Sequence, residues 1–274
     1  MNLAVAIALL TGGLLILWKS ADLLVAGAVG LARSLGVSSL VVGLTVVAMG
    51  TSAPEVAASI AGVLRQTDGG DLAVGNVFGS NIANLALVGG LVALIRPLEV
   101  RKLTLLREIP VMLAVALLLW PLLHNLHLSL WEGLMLLAVF AGLIVLTVHR
   151  AKKEAAQNRI RVANGEAGLT SPVPRPAKNS LMVVIGLVGL AVGAKMAVDG
   201  AIVIGERAGL SNAVIALTII AFGTSLPELV TCVVAAVKGH HDISVGNLVG
   251  SNVFNTLLVT GAAGVVKPFE VAPR

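Results

Sequence analysis

Charge is what this chain has least of. Only 12% of its 274 residues are Asp, Glu, Lys or Arg, about half the ~25% usual in a soluble domain. Tyrosine is absent and there is one cysteine, Cys232, which excludes an intramolecular disulfide framework. The N-terminus lacks a basic n-region and a small-residue cleavage pattern. Residues 3–18 therefore read as the start of a retained helix running to about residue 31, not as a removed signal. No nucleophile–base–acid set and no cluster of metal-ligand histidines falls in the apolar segments, which argues against an enzyme.

What is present is apolar surface. Hydrophobic residues make up 57% of the chain and the mean hydropathy is +0.98. Apolar runs near 20 residues recur along it, the length that crosses a bilayer as a helix. The expected fold is an all-α integral membrane protein. Eight spans are predicted near 4–31, 38–64, 71–95, 104–123, 129–148, 180–206, 212–237 and 242–266. Thirty glycines suit helices that pack backbone to backbone in lipid.

Between the fifth and sixth spans lies the one substantial polar segment, 149–179. It carries Arg150, Lys152, Lys153, Arg159, Arg161, Arg175 and Lys178, with Pro172, Pro174 and Pro176, and reads as a flexible linker. With this linker in the cytoplasm, Arg96, Arg101, Lys102, Arg33, Arg107 and Lys238 fall on the same side. Arg65, Arg207, Lys267 and Arg274 fall opposite, a bias of 13 to 4 that satisfies the positive-inside rule. The net charge of +5 is thus a topology signal that puts the N-terminus outside, and no nucleic-acid partner is expected.

The chain repeats itself. Residues 43–55, GLTVVAMGTSAPE, match 216–228, ALTIIAFGTSLPE, at eight of 13 positions. Residues 72–84, LAVGNVFGSNIAN, match 243–255, ISVGNLVGSNVFN, at seven of 13. An odd number of spans separates each segment from its copy, so the two halves are inverted in the membrane. Inverted repeats with interrupted helices are the architecture of secondary transporters, with the site where the interruptions meet. The halves are expected at 1–148 and 180–274.

The repeated residues suit a cation. Pro54 cannot donate an N–H and its ring clashes with the carbonyl of Gly50, so the span should break there and free carbonyls near Val47 to Gly50. Thr51 and Ser52 add hydroxyls and Glu55 a carboxylate. Gly223, Thr224, Ser225, Pro227 and Glu228 repeat the set. Such oxygens are the hard ligands of calcium and also suit sodium, and two carboxylates match one calcium in charge. An acidic side chain at mid-membrane costs roughly 2.5–3.5 kcal/mol on insertion scales, so Glu55 and Glu228 are read as functional. Asn84 and Asn255 are either ligands or interhelical hydrogen bonds. Asn76, Asn81, Asn247 and Asn252 are expected to satisfy broken backbone near Gly75, Gly79, Gly246 and Gly250, and Ser59 and Thr147 to be packing contacts. Asp22 is expected to pair with Lys19, and Asp199 with Lys195. His124, His127, His240 and His241 fall at expected loops.

At these motifs the sequence resembles the calcium/cation antiporter superfamily, specifically the prokaryotic sodium/calcium exchangers, whose two alpha-repeats read AxGTSxPE and GNxxGSNxxN. The resemblance runs from the first span through residue 266. It implies ten spans as two inverted sets of five, and an antiporter moving Ca2+ against Na+ with no cofactor. Glu55 and Glu228 resemble the central carboxylates, and Thr51 and Thr224 the residues whose carbonyls face calcium. Ser52 and Ser225 match sodium-site hydroxyls. The carbonyls of Ala48 and Ala221, with the side chains of Ser80 and Ser251, match outer sodium sites, and Asn84 and Asn255 match polar positions of the central site. Some members carry aspartate at the place of Asn255. The family's first and sixth spans slide together against the rest. Residues 266–271 mirror 95–100, which lead into the fourth and fifth spans, so the chain is expected to hold eight of ten spans. A proton/cation exchanger, a cation channel and a non-transporting fragment are the competing readings. The expected partners are the bilayer and the two ions, with no protein partner.

Overall fold

The structure is a computed structural model. It describes residues 1–65, 69–163, 175–215, 218–219 and 221–272, without the side chains of 158, 159, 161–163, 212, 213 and 221. The regular secondary structure of the described residues is helical apart from one two-residue strand pair, β1 (His127–Leu128) with β2 (Phe269–Glu270). Six helices are long and apolar enough to cross a membrane. In the labels used below they are α1 (Leu3–Leu35), α4 (Gly69–Ile95), α5 (Thr104–Leu122), α6 (Leu130–Ala163), α7 (Pro176–Arg207) and α11 (His241–Val266). A bent pair, α2 (Ser39–Thr51) and α3 (Ala53–Val63), meets at 41° and makes a seventh span when counted as one. The expected span 212–237 is described in pieces: α8 (Asn212–Ile215), α9 (Ala221–Thr224) and α10 (Leu226–Val237). Residues 216, 217 and 220 in it lie outside the described residues. Outward-facing side chains are apolar: Leu94 is 85% exposed, Trp120 80% and Trp131 77%.

Helix runs into the polar 149–179 segment from both ends. α6 continues through the polar stretch to Ala163, and α7 already begins at Pro176. Residues 149–163 are rich in Ala, Lys, Arg, Glu and Gln, which leave lipid but propagate a helix readily, and proline is at home in a first turn. Residues 164–174, with Pro172 and Pro174, lie outside the described residues, as does Arg274.

α1 and α7 pack antiparallel along their lengths, in the largest interface of the bundle. Small residues at seven-residue spacing make this possible. A Cβ on Gly13 would stand 2.5 Å from the Ala197 nitrogen, one on Gly193 2.9 Å from the Gly13 carbonyl oxygen, and one on Gly200 2.5 Å from the Ala6 oxygen. Polar clips close both ends: Asn179 Nδ2 donates to Ser34 Oγ at 3.0 Å, and Arg207 Nη2 to the Met1 carbonyl at 3.0 Å. Gly193→Leu is therefore expected to cost about 1–3 kcal/mol or more through overpacking, seen as a lower thermal midpoint in detergent. Asp22, expected to pair with Lys19, instead meets Lys238 beyond α10; one turn along a helix is less favourable here than a partner across the interface. Lys195 and Asp199 do pair, at 3.0 Å.

The ends of the central helices make matching contacts between the two repeats. Arg96 Nη1 donates to the Val237 carbonyl at 2.6 Å, and Lys267 Nζ to the Arg65 carbonyl at 3.2 Å. Each basic residue follows the third helix of one repeat and caps carbonyls at the end of the second helix of the other, where cations are favoured. Asp242 at the start of α11 holds Arg101 at 2.6 Å, and Asp71 near the start of α4 accepts the Ala272 amide at 2.9 Å. His240 lies beside the first of these ends; burial, then the charges of Arg33, Lys238 and His241, hold its pKa below the usual histidine value.

Candidate cation site

Both GTS-x-PE segments break as their prolines require. The helix stops at Ser52 (φ −83°, ψ 6°) and at Ser225 (φ −87°, ψ 3°), and a new helix starts with proline in its first turn. The near-identical dihedrals make the two breaks copies in structure as in sequence. Glu55 and Glu228 each sit in the first turn of the new helix, where the backbone dipole favours negative charge. π-helical turns at Gly43–Val47 and at the equivalent pair Ala83–Val88 and Asn255–Val259 distort the helices on either side, and such turns are frequent at functional sites. Asn84 and Asn255 stand in the first turn of that pair.

The expected residues are buried. Glu55, Asn84, Ser225, Ser251 and Asn255 are 0% exposed, Thr51, Ser52 and Glu228 1%, and Ser80 3%. Ala48 is fully buried against Gly250. Thr224 is half-buried, and of Ala221 only the backbone, opening α9, is described. Two hydrogen bonds cross between repeats from the first break: Ser52 Oγ donates to Glu228 Oε1 at 3.2 Å, and Thr51 Oγ1 to Asn247 Oδ1 at 3.1 Å. The two carboxylates also interact electrostatically.

Most of the remaining oxygens are bare. Both carboxylate oxygens of Glu55, Oε2 of Glu228, the side-chain oxygens of Ser225 and Ser251, and both amide atoms of Asn84 and Asn255 are buried without a hydrogen-bond partner. Neither glutamate is in an ion pair among the described residues. Buried polar atoms are normally satisfied, and an isolated buried carboxylate is costly. A buried cluster of hard oxygens, two carboxylates among them, with this many unmet acceptors is a set that a cation completes. Among the described residues no three of His, Cys, Asp and Glu gather to bind a softer metal.

The family model described as sodium/calcium exchanger protein matches residues 5–148 and 178–274. This chain belongs to that family. Among its relatives is the sodium/calcium exchanger MaX1 of Methanosarcina acetivorans, 33% identical over 291 residues that take in 95% of this chain and 83% of that protein. The inner membrane protein YrbG of Escherichia coli is 39% identical over 271 residues, 98% of this chain and 82% of the other. In structure the chain is similar to the sodium-calcium exchanger NCX_Mj, with a TM-score of 0.83 at 30% identity over 99% of this chain and 85% of that one. The exchanger-family chain is thus a multi-pass membrane protein with the fold of a cation antiporter.

Around its motifs lie contacts that sequence reading placed elsewhere. Asn76 serves backbone as expected, but that of Glu55: Nδ2 donates to the Glu55 carbonyl at 3.1 Å and to Ser59 Oγ at 2.9 Å. Ser59 is therefore more than a packing contact. Asn252 Nδ2 donates to Leu248 within its own helix at 2.7 Å, while Asn81 Nδ2 crosses to Thr256 Oγ1 at 3.0 Å. Asn247 holds side chains rather than backbone, Thr51 on one side and Cys232 on the other. Their shared place in the repeat was the available signal; which partner each would choose depends on how the repeats cross.

Proposed function

We propose that this chain is a sodium/calcium antiporter that exchanges Ca2+ for Na+ by alternating access through a site at mid-membrane. Glu55 and Glu228 carry the ion's charge, with Thr51, Thr224, Asn84 and Asn255 completing the calcium position. Ser52, Ser225, Ser80, Ser251 and the carbonyls of Ala48 and Ala221 serve sodium. The observation that carries this reading is the pair of buried carboxylates at equivalent helix breaks, surrounded by unpartnered oxygens. The names of the relatives and of NCX_Mj support the ion pair.

Alternating access is supported by an inequality between the repeats. A Cβ on Gly246 would stand 2.8 Å from the Leu40 carbonyl oxygen, and one on Gly250 2.6 Å from Ala48 Cβ; that side is closed. On the other side, at the equivalent Gly75 and Gly79, lies a cavity of about 590 Å3, lined by Ser80, Thr218 and Phe222 among others. Two inverted halves in unlike conformations expose the site to one membrane face, and exchanging their conformations exposes it to the other. In this reading the halves are 1–148 and 180–274, flank a cytoplasmic 149–179 segment, follow the five-plus-five plan and leave the N-terminus outside. α1 and α7 slide as the paired element.

The test is calcium-45 uptake into sodium-loaded vesicles placed in sodium-free medium. Uptake that requires the outward sodium gradient supports the proposal. Uptake indifferent to sodium but driven by a pH gradient assigns the same carboxylates to proton exchange, and uptake that passes current without coupling assigns a channel.

A further inference from the structure

The second repeat departs from the first just behind the site. Asn76 and Asn247 are equivalent, as are Ser59 and Cys232, each one turn beyond its glutamate. Asn76 Nδ2 meets an oxygen, Ser59 Oγ, at 2.9 Å, whereas Asn247 Nδ2 meets the sulfur of Cys232 at 3.3 Å. Sulfur is a weak acceptor. The Cys232 thiol is itself turned to the Ser244 carbonyl at 3.5 Å, and Ser244 Oγ returns a bond to the Cys232 carbonyl at 3.1 Å. Asn247 is 0% exposed, and its remaining amide atom, Oδ1, accepts from Thr51 Oγ1 across the repeats at 3.1 Å.

The geometry points to Asn247 as a positioning residue that sets calcium affinity, with Cys232 tuning how firmly it holds. Thr51 ends α2 and Ser52 is the break itself, bonded in turn to Glu228. The Asn247 bond thus fixes where the first repeat's break stands relative to the second repeat's carboxylate. Asn247 touches no ion in this scheme; it acts through Thr51. A soft acceptor behind the amide leaves Asn247 free to follow Thr51, whereas an oxygen in place of the sulfur would hold the amide more firmly. This inference rests on the proposed site.

The experiment measures half-saturating Ca2+, half-saturating Na+ and maximal rate in reconstituted vesicles for the unaltered chain, Asn247→Ala, Thr51→Val, their double variant and Cys232→Ser. Loss of one buried hydrogen bond predicts a rise in half-saturating Ca2+ of about tenfold for each of the first two. The double variant is expected to be no worse than Thr51→Val alone, since the Asn247 bond is among the contacts that Thr51→Val already removes, with those to the Ala48 carbonyl and Glu228. Cys232→Ser is expected to raise half-saturating Ca2+ about threefold, with an unchanged thermal midpoint. A half-saturating Ca2+ that does not move in Asn247→Ala, or effects that multiply in the double variant, overturns the assignment. Where Asn247→Ala does not fold, Cys232→Ser decides: no shift in half-saturating Ca2+ overturns it too. No sodium-driven calcium uptake by the unaltered chain is a different result, and refutes the antiporter reading itself.

Discussion

Glu55→Gln and Glu228→Gln each lower sodium-driven calcium uptake at least a hundredfold, and neither weakens the ion-free protein. The two halves of this expectation come from the same observation. Both oxygens of Glu55 and one of Glu228 are buried without a hydrogen-bond partner, and among the described residues neither carboxylate has a basic partner to offset its charge. Removing one partner of a buried charge pair typically costs roughly 3–5 kcal/mol, and with calcium as the partner that is more than a hundredfold in affinity. Without the ion the sign reverses. A neutral amide of the same shape relieves both desolvation and the repulsion between the glutamates. The thermal midpoint of the ion-free variants in detergent should stay level or rise. Saturating calcium, which stabilises a binding protein by about 2.7 kcal/mol at a hundredfold excess over Kd, should no longer raise it. A glutamine variant that loses transport because it unfolds, or that keeps its calcium-induced stabilisation, would contradict the assignment of these two carboxylates.

The motif was legible because it is written twice. Pro54 and Pro227 dictate a break whatever surrounds them, and the structure places both breaks two residues earlier, at Ser52 and Ser225, with matching dihedrals. The membrane helices were legible from hydropathy, since lipid demands length and apolarity of each span separately. Pairwise choices were less so. Asp22 had Lys19 within one turn, yet Lys238 is its partner, because the packing of α1 on α10 is a tertiary fact that spacing does not encode. The polar stretch after residue 148 does not end the helix, which runs on to Ala163; hydropathy and helix propensity are separate properties. Ser59 and Asn247 were undervalued for a third reason. A small or amide side chain in a membrane helix has packing and hydrogen bonding as alternatives, and only the crossing of the two repeats selects between them.

Gly250→Ala and Gly79→Ala, equivalent substitutions in the two repeats, should fail in opposite ways. At Gly250 the added methyl meets Ala48 Cβ at 2.6 Å and the Leu44 carbonyl oxygen at 2.7 Å. Backbone cannot yield as a flexible side chain does, so α2 is pushed from α11 and the Ala48 carbonyl is displaced. Overpacking of this kind costs about 1–3 kcal/mol, visible as a lower thermal midpoint. Gly79 lines the cavity of about 590 Å3, so the methyl enters open space, and alanine gains up to about 1 kcal/mol over glycine within a helix. The thermal midpoint of Gly79→Ala should therefore hold or rise. Its transport should nevertheless fall. When the halves exchange conformations, Gly79 must take up the contact that Gly250 makes now, and the same ~1–3 kcal/mol then opposes that state. A state disfavoured by that much is populated roughly 5–150 times less, so turnover should drop by about tenfold with calcium binding from the open side retained. Gly79→Ala with full turnover would mean that the two sides do not exchange roles, and alternating access by inversion of these repeats would have to be abandoned.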